Sequence, residues 1–382
     1  MGPAPSAESF IDCFKDVEDP RKSQSEHPIL SILVLSLCGV ICGANGPTAI
    51  EDFGKARLDF LERLVPFPSG IPSHDTIGRV LGMLDPNALE ASFSHWMGEV
   101  TTLLEDEVIA VDGKTLRRAR NAKDGHSFVH MVSAWASASK VVLGQVKTGK
   151  KSNEIVAIPK LLDLLSIKGC IVTIDAMGCQ KDIVEQIVDK GADYIIPVKK
   201  NQRQLLAEVS AACETALASS LLPQNVSFHE TSNEGHGRRE SRRCWTLPVP
   251  EFFPIRDKWK GLATLVYMQS ERTLKDKTSI TERWFISSRV SLNAETALSS
   301  IRAHWGIENR LHWSLDVAFD EDQSRLRAKN AAENLVVIRH AALNCLRSAT
   351  NVPGGIARKR LKAGYDSKIL AAILKLPNEL TC

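Results

Sequence analysis

VIAVDGKT (108–115) and GCIVTIDAMG (169–178) are the two stretches on which the fold turns. Each is a short apolar, β-branched run that reaches an aspartate, Asp112 in the first and Asp175 in the second. Runs of this length and composition read as buried strands. Between them, MVSAWA (131–136) and VVLGQVK (141–147) read as a hairpin, and 153–166 as an amphipathic helix. Beyond them come a helix over 182–190, a strand YIIPVK (194–199) and a helix over 202–217. The order β-β-β-α-β-α-β-α predicts an α/β fold, a mixed sheet covered by helices. In that order the first and fourth strands can lie side by side. Asp112 and Asp175 then meet at adjacent strand ends, where open α/β sheets tend to form ligand sites.

The flanks differ in character. Residues 1–100 read as a helical domain. The uncharged run Ile29–Ala44 is shorter than the roughly 20 residues a membrane span needs, so it reads as a buried helix. A helix is expected over 47–64, a break at PFPSGIP (66–72), a helix capped by Ser73 and running to about Leu84, and another over 87–104. The core then occupies 101–220. Residues 221–288 lose the helical period and read as a β-rich insertion holding ESRRCWTL, GLATLVYMQSE and ITERWFISS. Helical period returns in 289–350, and 351–382 forms a basic tail.

Composition narrows the function classes. The net charge is +3, with 43% hydrophobic and 24% charged residues, as in an ordinary globular protein. Basic residues gather in HGRRESRR (236–243) and in the tail, and such patches are the footprint of polyanion binding. The nine cysteines form no CxxC pair and no zinc-spaced cluster, which points to a reducing, cytoplasmic setting. Acidic and polar residues within the first twenty argue against a signal peptide. GQVKTGKK (144–151) imitates a phosphate-binding loop, but Lys151 replaces the Ser or Thr that holds Mg²⁺, and its first half reads as strand.

Glu308 lies in the late helical stretch HWGIENRLHW. Two strand-end aspartates and a helical glutamate suit two Mg²⁺ ions bracketing a phosphodiester, because that ion prefers carboxylates and water. Asp316, eight residues on, is a competing acid. Lys114 and Arg117 could contact the phosphate. His304 and His312 flank Glu308 at helical spacing, and zinc is disfavoured beside hard oxygen ligands. Trp245, Trp259, Trp284, Trp305 and Trp313 could stack on a base, although most tryptophans are core residues.

The strings GIPSHDTIGRVL (70–81), VIAVDGKTLRR (108–118), KSNEI (151–155), LLSIKGCIVTIDAMGCQ (164–180), GADYIIPVKKNQ (191–202), HGRRE (236–240), WFISS (284–288) and IRAHWGIENRLHWSLDVAFDED (301–322) cover most of the chain in order. With them the chain resembles insertion-sequence transposases of the ISAs type, the H-repeat-associated proteins of the DDE superfamily. The resemblance implies an RNase H-like core, a β-rich insertion before the glutamate and an N-terminal associated domain. It implies that Asp112, Asp175 and Glu308 are the catalytic, metal-binding triad, served by two Mg²⁺ ions for which Mn²⁺ can substitute. It further implies cleavage and strand transfer on double-stranded DNA, at terminal inverted repeats and target sites, by a homodimer or larger assembly on the nucleoid with no membrane partner. The DNA contacts expected from the matched motifs are Lys114, Arg117, Lys199, Asn201, Gln202, Arg238, Arg239, His304 and Asn309. The chain departs from related patterns at Ile301, His304 and Leu315, where Tyr, Arg and Lys are usual, and at Lys200, where Gly is usual. A DNA-binding relic that no longer cuts, or a nuclease without strand transfer, are the alternatives.

Overall fold

The computed structural model describes residues 4–21, 25–120, 128–148, 154–218, 225–235, 237–275, 277–324, 326 and 328–377 of the 382. Helices come first: α1 (Ala7–Phe14), α2 (Ile29–Ile41), α3 (Pro47–Ala56), α4 (Leu58–Leu61), α5 (His74–Met83) and α6 (Pro86–Val100). Ser6, Ser73 and Asp85 cap α1, α5 and α6 by accepting a backbone N–H with the side chain. Prolines open α3 and α6, where a missing N–H is harmless. The helix expected over 47–64 is interrupted at Arg57, whose φ of −134° leaves the helical region.

Strands and helices then alternate: β1 (Val108–Arg120), β2 (Phe128–Ala136), β3 (Val141–Lys147), α7 (Glu154–Asp163), β4 (Ile171–Ile174), α8 (Lys181–Asp189), β5 (Asp193–Val198) and α9 (Arg203–Leu217). Four long strands follow: β6 (Ser227–Gly235), β7 (Arg238–Pro248), β8 (Thr264–Leu274) and β9 (Lys277–Ser287). The chain ends in α10 (Ala294–Gly306), a π-helical segment Ile307–His312, α11 (Trp313–Ala318), α12 (Ala331–Ser348), α13 (Ile356–Tyr365) and α14 (Ser367–Ile373). The result is a mixed α/β fold with a large mixed sheet.

The chain forms two compact units. One comprises Met1–Thr102, Gly113–Leu165 and Glu308–Cys382; the other comprises Leu103–Asp112 and Ser166–Ile307. In the first unit β3, β2 and β1 pair in that order, with β3 at the edge. At the centre lies α12, buried along nearly its whole length and touching α2, α5, α6 and β3. A helix buried on all sides must pair its polar side chains within the protein. Asn344 does so against β3, donating to the Val142 carbonyl at 2.9 Å and accepting from the Val142 N–H at 2.9 Å. One side chain thus does for the sheet edge what a further strand would. Asn334 donates to the carbonyls of Leu81 and Leu84 at the end of α5.

The apolar α2 is likewise enclosed. No helix among the described residues is long and apolar enough to cross a membrane. The tail expected to be a basic surface is folded into this unit. Arg360 is 4% exposed, donates to the Val40 carbonyl near the end of α2 and stacks over Phe319. Lys359 donates to the carbonyls of Leu346 and Ala349 at the end of α12. Both cations complement helix C-termini.

In the second unit the order is β1-β4-β5-β9-β8-β7-β6. β1, β4 and β5 run parallel, and β9 joins β5 antiparallel through Ile195↔Ser287 to Val198↔Trp284. The segment read as an insertion therefore extends the sheet of this unit as an antiparallel meander. α10 covers one face, with Ala297, Leu298 and Ile301 against Cys244, Val266 and Phe285. On the strands' alternate positions Phe228, Trp245, Tyr267 and Trp284 form a ladder with ring centroids 5.1 to 5.8 Å apart. Such cross-strand aromatic pairs account for Trp245 and Trp284 as sheet packing. Trp259 is buried. GQVKTGKK lies on β3 as far as Lys147, and its last three residues lie outside the described ones.

Asn344→Ala would leave a buried N–H and a buried carbonyl of β3 unpaired. Its expected effect is a loss of at least about 2 kcal/mol in unfolding free energy. Urea denaturation of the variant beside the parent chain measures it.

Candidate active site

The two aspartates belong to the second unit. β1 and β4 run in parallel register from Val108↔Ile171 to Val111↔Ile174. Asp112 and Asp175 are the next residue on each strand, so both leave the same edge, with the strands about 4.8 Å apart. Asp175 ends its strand. Asp112 does not, because β1 continues to Arg120; it marks where pairing to β4 stops. Both are half-buried. Asp175 Oδ1 accepts from the N–H groups of Met177 and Gly178 at 2.9 and 3.3 Å, which holds the carboxylate at the start of a short 3₁₀ turn.

That turn is braced from the segment after β5. Asn201 Nδ2 donates to the Ala176 carbonyl at 2.7 Å, and Gln202 Nε2 to that of Cys179 at 2.8 Å. These amides, expected from sequence as DNA contacts, hold the loop that follows Asp175. Lys200 lies in a 3₁₀ turn without a positive φ, so replacing the usual glycine there carries no backbone strain. Lys199 is exposed. Behind Asp175, Thr173 Oγ1 bonds His304 Nδ1 at 3.1 Å. Burial pushes His304 down to about 4. It is therefore a neutral hydrogen-bond partner of β4.

Arg238 and Arg239 are exposed at the start of β7. Arg238 lies 3.6 Å from Glu240, which also holds Arg242 at 2.6 Å, so part of this patch is internally neutralised.

Glu308 belongs to the first unit. It is exposed, as is Asn309, in the π-helical segment between the buried Ile307 and Leu311. Such wide turns recur at functional positions. Downstream, Asp316 takes the Lys114 ammonium at 2.5 Å, and Glu321 takes it at 2.7 Å. Glu321 is 2% exposed and also faces Arg339. Burial alone would raise its carboxyl, but Lys114, Arg339 and His340 hold it below the usual range. Lys114, expected as a phosphate contact, is thus the cation of an internal ion network, and Asp316 is one of its partners. The Arg117 side chain lies outside the described residues. Trp313 is 59% exposed on α11; in the second unit Trp305 is 45% exposed, with Arg283 over its ring.

A constellation that sequence reading missed lies in the first unit just past Asp112. Thr115 Oγ1 bonds His130 Nδ1 at 2.7 Å, and His130 Nε2 bonds Glu154 at 2.8 Å. A Cβ on Gly113 would overlap the Glu154 carboxylate, so glycine is what admits this pair to the strand backbone. The closely spaced G and T of DGKT were the available signal.

Among the described residues no three His, Cys, Asp or Glu side chains form a metal-holding group. The described cysteines are free thiols, most of them buried. Residues 104–345 match the Transposase DDE domain family, and 11–97 match the DDE_Tnp_1-associated family. The chain is 42% identical over 380 residues to "Putative transposase YncI" of Escherichia coli O157:H7, covering 98% of this chain and 96% of that one. It is 42% identical to "H repeat-associated putative transposase YhhI" of Escherichia coli K12, covering 91% and 93%. A 55-residue stretch, 14% of this chain and 66% of the relative, is 53% identical to "Inactive transposase YbfQ" of the same strain.

Lys114→Met would strand the buried Glu321 carboxylate, and a loss of about 3 kcal/mol in stability is expected. Acid should weaken the fold through its buried imidazoles. Burial lowers His304 and His312 to about 4 and His340 to about 3. Unfolded, they titrate near 6.5. The unfolded chain therefore takes up protons below pH about 6.5 that the folded chain refuses until about 4. Stability is fully present above that window and declines as pH falls through it. Denaturation midpoints measured from pH 7.5 to 4.5 should fall steadily, and less steeply in His340→Leu.

Proposed function

The chain belongs to the DDE transposase family, and from that premise we propose that it cleaves and joins DNA at the ends of its own mobile element. The observation that carries this reading is the side-by-side exit of Asp112 and Asp175 from parallel β1 and β4. The pairing of β3, β2 and β1 in one unit and of β1, β4 and β5 in the other supports an RNase H-like core.

Two half-buried carboxylates on neighbouring strands are a hard-oxygen donor set that fits Mg²⁺ or Mn²⁺. Asp112 and Asp175 would hold the ions, with Glu308 as the third carboxylate by family motif. Bound there, the ions supply Lewis-acid activation of water or of a 3′-hydroxyl. Hydrolysis exchanges a phosphodiester bond for a 3′-hydroxyl and a 5′-phosphate. Transesterification then uses that hydroxyl to displace a 3′-oxygen of target DNA. Asn201 and Gln202 fix the Asp175 turn, and His304 fixes β4 through Thr173. Lys199, Arg238, Arg239 and Asn309 are the exposed residues we assign to DNA. Pairing two element ends calls for a dimer or larger assembly, working on the nucleoid.

The test is incubation with Mg²⁺ and labelled duplexes carrying the element's ends. Wild-type protein should cleave and join them, and Asp175→Ala should bind DNA with cleavage reduced at least about a hundredfold, beyond the usual effect of losing a supporting group. Binding without cleavage under both Mg²⁺ and Mn²⁺ would identify an inactive DNA-binding protein instead. Asn201→Ala, which loosens only the turn, should cleave about tenfold to a hundredfold more slowly with an unchanged melting temperature.

A further inference from the structure

The meander of β6–β9 in the second unit has two faces of opposite charge. Its pairing runs unbroken from Arg238↔Leu274 to Pro248↔Thr264 and from Thr264↔Ser287 to Leu274↔Lys277. Opposed residues therefore share a face, and neighbours along a strand alternate. One face carries Cys244, Val266 and Phe285 under α10. Beyond α10 that face continues with Arg238, Arg242, Arg272, Lys277 and Arg283 against one carboxylate among the described residues, Glu240. The opposite face carries Arg243 and, next to the hairpin tip, Arg239, against Glu230, Glu234, Glu271 and Glu282. At the border of the basic face the Arg283 guanidinium lies 5.7 Å from the Trp305 ring of α10. Glu240 holds Arg242 and faces Arg238, while Arg272, Lys277 and the α10 residue Arg302 are exposed. Burial lowers the Arg242 guanidinium; Glu240 opposes that, and the cations of Arg302 and Arg238 add to it. Like charges crowded on one face repel, and a polyanion laid across them removes that cost.

The layout of the face says which polyanion. From the level of Arg238 to that of Arg283 is about 20 Å along the strands, and β7 to β9 spread the cations over about 10 Å across them. The same 20 Å is about six base pairs of duplex. An acidic peptide would meet such cations in single file, whereas rows on three strands match the wider charge of a double helix. Thr231, Asn233, Ser270, Ser279 and Thr281 stand between the cations on this face. Hydroxyls and amides donate to phosphate as the cations do, and such contacts carry no base code. The placement in the sheet agrees. β9 pairs with β5 only from Trp284 to Ser287, so Lys277–Arg283 runs on past the carboxyl end of β5. Asp112 and Asp175 leave β1 and β4 at that same end of the parallel strands. A backbone lying on this face therefore leads toward the edge at which the two aspartates stand. We propose that the Arg238–Arg272–Lys277 face of the meander is a track for the phosphate backbone of duplex DNA, gripped without regard to base sequence.

The inference takes its choice of polyanion from the DNA-processing reading, and its test needs no cleavage. Labelled duplexes, one carrying an element end and one of unrelated sequence, are titrated with the full chain by fluorescence anisotropy, without divalent metal, from about 50 to 200 mM salt. The Arg272→Ser/Lys277→Ser double variant should bind both duplexes at least about tenfold more weakly at the lowest salt. Each lost phosphate contact should flatten the plot of log affinity against log salt by about 0.9, hence about 1.8 for the pair. Arg243→Ser removes a cation from the opposite face and should change neither quantity. Thermal melts check that each variant is folded. A double variant that binds as the wild type does, or an equal loss in Arg243→Ser, overturns the track and leaves the DNA-processing reading standing. So does a loss confined to the element-end duplex, which would make the face a sequence reader, or displacement of DNA by polyglutamate at equal charge, which would make it a site for an acidic protein segment. A wild type that binds no duplex at all sinks the track and the DNA-processing reading together.

Discussion

Within the first unit, the constraint on which the rest depends is the complete burial of α12. A helix enclosed on every side gains its apolar contacts only if its polar side chains find partners there. Asn344 completes the edge of β3, and Asn334 ends α5. Arg339 faces Glu321, which in turn anchors Lys114 of β1. One helix therefore organises helices before and after the strands, although they are far apart in sequence. That explains why residues 1–102 and 308–382 share a unit.

The same economy governs the charges. Patches of lysine and arginine suggested a surface for a polyanion, yet several of those cations face inward. Arg360 and Lys359 terminate helices and Arg242 pairs with Glu240, while Lys114, outside those patches, balances two carboxylates. A local count of charge along the chain cannot separate these roles. A guanidinium is equally suited to a helix end and to a phosphate, and only the fold determines which it meets. Arg238, Arg239 and Lys199 remain exposed.

Much of the fold was legible because its elements obey simple periods. The hairpin β2–β3, the buried strands β4 and β5, and the helices α2 and α5 all lie close to where apolar spacing and capping residues put them. The parallel β1–β4 pairing that joins Asp112 to Asp175 is one arrangement that the element order permits. Other features were hidden for physical reasons. The full length of β1 was missed because GKTLRRAR is polar, and its pairing with β2 depends on the whole sheet. The meander of β6–β9 joins the sheet through β5, a contact between distant segments. The loop-bracing bonds of Asn201 and Gln202 were hidden because an amide that braces a loop has the same composition signal as one that touches DNA. Only the G and T of DGKT hinted at the His130–Glu154 pair, since its members and Thr115 come from three separate elements.

The π-helical segment around Glu308 has a consequence for how the chain tolerates change in length. A π turn holds one residue more than an α turn, and each α-helical residue advances the side chains by about 100°. Ile307–His312 thus acts as a phase shifter between Glu308 and Asp316. Removing a single residue there would restore an uninterrupted α-helix and rotate Asp316 about 100° away from Lys114. The stretch is therefore more sensitive to the number of its residues than to their identity. Many substitutions at its exposed positions would leave the phase intact, whereas a one-codon deletion would misalign every later contact of α11.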